Sequence, residues 1–130
     1  MNPDARCPCL SGDTYSACCG RVVDGGQAAP TAVQLMRSRY TAFAVGATDH
    51  LLTTWHPATR PADLDLDPAQ QWRRLDIVGH ARGGLLDQEG TVEFRAHYRF
   101  GGRPGVLHER SRFVRDEGRW VYLDGVHLED

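Results

Sequence analysis

Between Thr31 and Gly46 the apolar residues Ala32, Leu35, Met36, Tyr40 and Phe43 recur at helical spacing, whereas from Trp72 onward apolar and polar residues alternate. The first pattern predicts an amphipathic helix. Thr31 stands at its N-cap position, Gln34 completes a capping-box pattern, Pro30 precedes the start and Gly46 marks the end. The opposite face carries Arg37 and Arg39. A second, short helix is predicted from Thr48 or Asp49 through HLLTTW, stopped by Pro57, and the Pro- and Asp-rich stretch 58–68 predicts a loop.

The alternating region predicts four strands, WRRLDIVGHA, TVEFRAHYRF, PGVLHERSRFVR and RWVYLDGVHL, joined by turns at 87–90, 101–102 and 116–118. A register that sets Val92, Phe94, Ala96 and Tyr98 beside Phe113, Ser111, Glu109 and Leu107 gathers apolar residues on one face. A three-residue loop 116–118 with a glycine bulge then adds Val121 and Leu123 to that face. The opposite face collects Glu93, Arg95, His97 and Arg99 with His108, Arg110 and Arg112, and Trp120 and Tyr122 are expected to add stacking surface there. Helices followed by a curved antiparallel sheet make an α+β domain, with the helices across the concave face.

A chain of 130 residues is the size of one compact domain, and 41% hydrophobic with 25% charged residues excludes wholesale disorder and fibrous repeats. The net charge of −2 argues against a dedicated nucleic-acid binder, although a local basic stripe is compatible with it. All 15 basic residues besides histidine are arginine, so Schiff-base and P-loop lysine chemistry is excluded. No stretch approaches the roughly 18 to 20 apolar residues of a membrane span, and the first residues lack the apolar run of a signal peptide. A cytoplasmic location without a membrane role is the expectation.

Cysteine usage changes this picture. Cys7, Cys9, Cys18 and Cys19 all lie in CPCLSGDTYSACCG, and no other cysteine follows. A turn at Pro8 and a loop through Ser11, Gly12 and Asp13 bring four sulfurs toward one point, a donor set that suits tetrahedral zinc. Structural zinc would order a segment too small to bury a core of its own. Two disulfides or reactive thiols are the competing readings, both disfavoured in a reducing compartment with no C-x-x-C motif.

The residues C-P-C-x-S-G, Tyr15 and Cys18, Cys19, Gly20 resemble the SEC-C type zinc motif found at the end of the SecA translocation ATPase. The resemblance implies Zn2+ ligation by Cys7, Cys9, Cys18 and Cys19, with Leu10 standing where the motif has glycine. LMRSRYTAF, TTWHP, GVLHERSRF and GRWVYLDG resemble the YchJ-like bacterial family, and with the cysteine motif the similarity spans nearly the whole chain. It implies a nuclear transport factor 2-like cone, a fold also used by epoxide hydrolases, dehydratases and steroid isomerases. The expected organisation is a knuckle at 1–21, a polar linker at 22–30 and the α+β cone at 31–130. Longer family members carry a second, C-terminal cysteine motif that this sequence lacks.

Such a cone encloses a pocket between helix and sheet. Glu109 is the sharpest candidate in it, because a carboxylate on an apolar face is either paired with Arg37 or Arg39 of the helix or raised in pKa and able to act as an acid or base. Trp55 and His56, before Pro57, either face the pocket mouth or serve as a packing anchor and a helix C-cap, and Tyr40 is either core or ligand contact. Asp124 before Gly125 reads as a turn residue. His97 and His108 would sit opposite each other, as two metal ligands or as hydrated surface. The arginine stripe reads as a solvated face or as a patch for an acidic partner or RNA. Two function classes follow: a zinc-binding adaptor holding a protein partner or small ligand, and an enzyme of the dehydratase, isomerase or hydrolase kind using Glu109 with His56 or Tyr40.

Overall fold

A computed structural model describes residues 2–129. Three helices, α1 (Gly20–Val23), α2 (Ala32–Val45) and α3 (Thr48–Thr53), precede four strands, β1 (Gln70–Arg82), β2 (Glu89–Phe100), β3 (Arg103–Asp116) and β4 (Arg119–His127). The strands form one antiparallel meander in the order β1-β2-β3-β4, and α2 lies across it against β1, β2 and β4. No helix among the described residues is long and apolar enough to cross a membrane.

The α2 start follows its local chemistry. Thr31 Oγ1 accepts from the Gln34 amide at 3.2 Å, and Gly46 ends the helix in the left-handed region at φ 79°. Leu35, Met36 and Tyr40 are buried against Leu75, Val92, Phe94, Ala96 and Phe113 of the sheet. Backbones approach closely where α2 meets the β1–β2 turn: the Ala32 amide donates to Gly83 O at 2.9 Å, and a Cβ on Gly83 would lie 2.7 Å from that of Ala32.

Two hairpins differ from the sequence expectation for one reason, the length of their turns. Gly101 and Gly102 take φ 57° and 83°, as a two-residue type I′ turn requires, so Phe100 pairs with Arg103. Val92 therefore faces Ser111, Phe94 faces Glu109 and Ala96 faces Leu107, two residues from the expected register. A two-residue slip keeps every side chain on its face. The next turn is also two residues long, Glu117 and Gly118 at φ 52° and 82°, rather than three. Asp116 pairs with Arg119 and Phe113 with Tyr122, a slip of one that reverses the faces of β4 from Arg119 to Tyr122, and a bulge before Asp124 restores them beyond. Trp120 and Tyr122 consequently point toward the helices, where Trp120 is buried and donates from Nε1 to Pro30 O at 3.2 Å. The outer face gains no stacking surface from them.

That outer face is laced with pairs. His97 bonds Asp76 at 2.9 Å and His108 bonds Glu93 at 2.9 Å; His97 stands opposite Val106, so the two histidines do not face each other as a ligand pair. Glu93 stands opposite Arg110. Asp124 lies within β4 rather than in a turn, and its carboxylate takes a two-pronged bond from Arg112 at 2.6 and 2.5 Å.

The segment expected to be a polar linker is packed. α1 runs across its start, Val22 and Val23 pack against the core, and Ala29 is buried.

Candidate functional site

Two sites carry chemistry-bearing residues. In the first, the chain from Arg6 folds back so that Arg6 bridges Thr14, the Cys7 amide donates to Asp13 O at 2.9 Å and the Gly20 amide to Tyr15 O at 2.7 Å. Leu10 turns the loop at φ 62°. These bonds gather the Sγ atoms of Cys7, Cys9, Cys18 and Cys19 within 4.8 Å of one another, with Cys9 to Cys18 at 3.6 Å and Cys18 to Cys19 at 3.9 Å. No disulfide links them. With zinc–sulfur bonds of about 2.3 Å, sulfurs of a tetrahedral site stand roughly 3.8 Å apart, so the donor set fits a soft divalent cation.

Hydrogen bonds from Cys19 and then Cys7 hold the Cys9 thiol far below its ordinary range, while bonding to Cys7 and Cys9 pushes Cys19 up. Negative charge thus has a place to reside among the sulfurs. Ser11 Oγ donates to Cys18 Sγ at 3.1 Å, and Arg37 of α2 donates to Cys9 O at 3.0 Å. Cys7, Cys9 and Cys19 are buried in the same apolar cluster as Ala32, Leu35 and Phe113.

The second site is a cavity of about 240 Å³ between α2 and the concave sheet. Met36, Phe43, Trp72, Phe94 and Leu107 supply an apolar wall, and Arg39, Tyr40, Trp55, Gln70, Glu109, Ser111 and Tyr122 bring polar atoms to it. Trp55 is placed by a one-residue parallel bridge to β4: the Tyr122 amide donates to Thr54 O and the His56 amide to Tyr122 O, both at 2.8 Å. This sets the Trp55 and Tyr122 rings edge to face, 5.2 Å apart.

Of the sequence candidates, Glu109, Tyr40 and Trp55 line this cavity and His56 does not. The His56 ring is turned to the following loop, where Nδ1 accepts from the Ala58 amide at 3.0 Å. The expected ion pair between Glu109 and a helix arginine is also absent among the described residues. Arg37 is committed to the knuckle, and Arg39 donates from Nη1 to Leu51 O and Thr54 Oγ1, each at 2.8 Å. Glu109 instead accepts from Ser111 Oγ at 2.5 Å.

Arg39, read from the sequence as part of the polar helix face, is only 3% exposed. It lies over the Trp55 and Tyr122 rings at 5.0 and 4.8 Å. Burial pulls its pKa down to about 10, opposed by the fields of Tyr122 and Glu109, so the guanidinium stays charged at neutral pH. Burial pushes Tyr40 and Tyr122 up to about 12, which keeps both as phenol donors. Sequence reasoning did not single out Ser111 or Tyr122 as site residues, and it brought in Arg39 only as a possible partner of Glu109. Arg39 was hidden because α2 is covered on two sides, and Tyr122 by the turn that reverses β4.

A family model described as YchJ, middle NTF2-like domain, matches residues 31–125. The chain belongs to that family. A second model, the SEC-C motif, matches residues 5–21, the knuckle of this YchJ-like chain. A UPF0225 protein of Streptomyces coelicolor is 54% identical over 127 residues, covering 98% of this chain and 99% of the relative. One from Corynebacterium efficiens is 53% identical over 122 residues, covering 94% and 93%. Among solved structures, a SEC-C motif containing protein from Rhodopseudomonas palustris superposes with a TM-score of 0.82 at 35% identity, covering 95% of this chain and 98% of that one. Another from Psychrobacter arcticus gives 0.78 at 27%, covering 100% and 87%. The YchJ-like chain is thus an α+β, NTF2-like cone with a cysteine knuckle, as the sequence resemblance implied.

Proposed function

We propose that this YchJ-like protein binds a small molecule in the cone cavity, and that a structural zinc ion held by Cys7, Cys9, Cys18 and Cys19 fixes the N-terminal segment against α2. The observation that carries the ligand reading is the cavity itself, an apolar space into which a charged Arg39, a carboxylate and two phenols converge. Ligand sites have this composition: apolar area for binding and a few polar groups for orientation. The zinc reading is supported by the sulfur spacing and by the burial of three of the four cysteines, since a closed tetrathiolate is the pattern of a structural site. That burial favours a structural ion over a detachable docking module.

A second reading is favoured by Glu109. A carboxylate held by a serine hydroxyl and by no arginine can receive a proton from a molecule in the cavity, and Tyr40 or Tyr122 can donate one. In this reading the chain catalyses a proton transfer, with Glu109 as base and without His56.

Native mass spectrometry with metal analysis tests the first reading. The expected result is one zinc per chain, and a small-molecule adduct that is released on unfolding. Metal-free protein with two intact disulfides would overturn the zinc assignment. Turnover of a bound carbon acid that Glu109→Gln abolishes would replace binding by catalysis.

A further inference from the structure

Arg39 brings a full positive charge into the cavity wall with no carboxylate at ion-pairing distance among the described residues. Its two hydrogen bonds, to Leu51 O and Thr54 Oγ1, both leave from Nη1. Nε and Nη2 have no acceptor among the described residues, although a guanidinium offers five N–H donors. The Trp55 and Tyr122 rings attract the cation but carry no charge to balance it. A charge in an apolar wall without a counter-ion opposes folding, and a ligand that brings a negative charge and acceptor oxygens to Nε and Nη2 answers it.

We propose that this acceptor is the ligand: the cavity takes a small organic acid whose carboxylate seats on Arg39, with its apolar body along Trp72, Phe43 and Leu107. The proposal rests on the ligand-binding reading above and adds the ligand's class. One guanidinium balances one carboxylate, and the two share a planar fork. A phosphate, with nearly two negative charges, would meet only this one cation and the Glu109 carboxylate in the same cavity. Glu109, in the wall of the same cavity, accepts a hydrogen bond from the molecule and repels a second anion. The acid therefore carries a hydroxyl or amino group away from its carboxylate.

The test uses the whole 130-residue chain, purified under reducing conditions with zinc supplied, and tryptophan fluorescence, which reports on Trp55 and Trp72 in the cavity. The probes are 4-hydroxybenzoate, 3-hydroxyphenylacetate and 6-hydroxyhexanoate, each beside its primary amide. At least one acid is expected to saturate the signal and to bind ten times or more as tightly as its amide. Arg39→Gln is expected to erase that preference, and the acid–amide comparison on the wild-type chain decides the matter even where this variant does not fold. Amides binding as well as the acids overturn the proposal and leave the ligand-binding cavity standing. Saturation by none of the six probes overturns both.

Discussion

Gly125 lies against the Glu109 side chain so closely that a Cβ at position 125 would come within 2.5 Å of Glu109 Oε2 and 2.7 Å of Cδ. β4 leaves this space open beside Ser111, its partner across the ladder, whose hydroxyl holds the same carboxylate. The glycine, the serine and the glutamate thus define one pose for the charge at the cavity wall.

Gly125→Ala is expected to swing the Glu109 carboxylate away. Because the displaced atoms end a flexible side chain, the stability cost should be about 1 kcal/mol, at the low end for overpacking. The two sites are in contact, so Gly125→Ala should cost at least roughly 0.5 kcal/mol less in a Glu109→Ala background. Urea denaturation of the four proteins measures this coupling, and strict additivity would show that the contact is not made.

Glu109→Gln follows from the same geometry. Breaking a contact ion pair inside the protein costs about 3 to 5 kcal/mol, but here the carboxylate's bonded partner is a hydroxyl, which an amide oxygen can also accept from. The variant is expected to stay within about 1 kcal/mol of wild type. A loss of several kcal/mol would mean that Arg39 and Glu109 pair directly in solution.

What was legible in the sequence was what is written locally. The four cysteines lie within one short segment, so their convergence needed only a turn, and the cap at Thr31 with the period from Ala32 to Phe43 located α2. Alternation located the strands and placed Glu109 inward. The pairing between strands was harder, because Gly101–Gly102 and Glu117–Gly118 accommodate turns of different length with similar residues. At the second of these a single residue decides whether Tyr122 faces solvent or the cavity. Arg39 failed for another reason: its partners, Leu51 O and Thr54 Oγ1, sit on the next helix and its C-terminal end, and no pattern within α2 announces them.

His50 gives the pH dependence. Burial, reinforced by the Arg39 charge and opposed by Asp24, lowers its pKa from 6.5 to about 4, and its Nε2 sits 3.0 Å from Ser38 Oγ. Between these values the unfolded chain binds the proton and the folded chain does not, so stability falls as pH drops from about 6.5 toward 4. The contribution is on the order of 2 to 3 kcal/mol. Denaturation midpoints of wild type and His50→Asn across that window should show a shallower slope for the variant; identical slopes would remove His50 as the cause.

Leu10 takes φ 62° and is half exposed, so its side chain gains little from packing while its backbone carries the left-handed penalty of about 1 to 2 kcal/mol. Leu10→Gly is expected to stabilise the metal-bound knuckle by about 0.5 to 1 kcal/mol, the difference being the greater freedom of glycine in the unfolded chain. Competition with a chromogenic chelator reads this as a several-fold slower or weaker loss of metal. A destabilised variant would mean that Leu10 packs in solution.

Metal removal should reach beyond the first 20 residues. Tyr15, Cys7, Cys9 and Cys19 share one apolar cluster with Ala32, Leu35 and Trp120, Cys7 Sγ lies 3.8 Å from Thr41 Oγ1, and Arg37 grips Cys9 O. Opening the knuckle therefore uncovers one side of α2, the helix that also forms a wall of the cavity. Addition of a strong chelator under reducing conditions is expected to lower the midpoint of the single unfolding transition by several degrees, since about 1 kcal/mol shifts a domain of this size by a few degrees. Amide exchange should quicken in α2 as well as in the knuckle. If exchange quickens only before Gly25, and a chain starting at Ala29 unfolds with the same midpoint as the whole protein, the knuckle is an independent module and the shared core carries none of its stability.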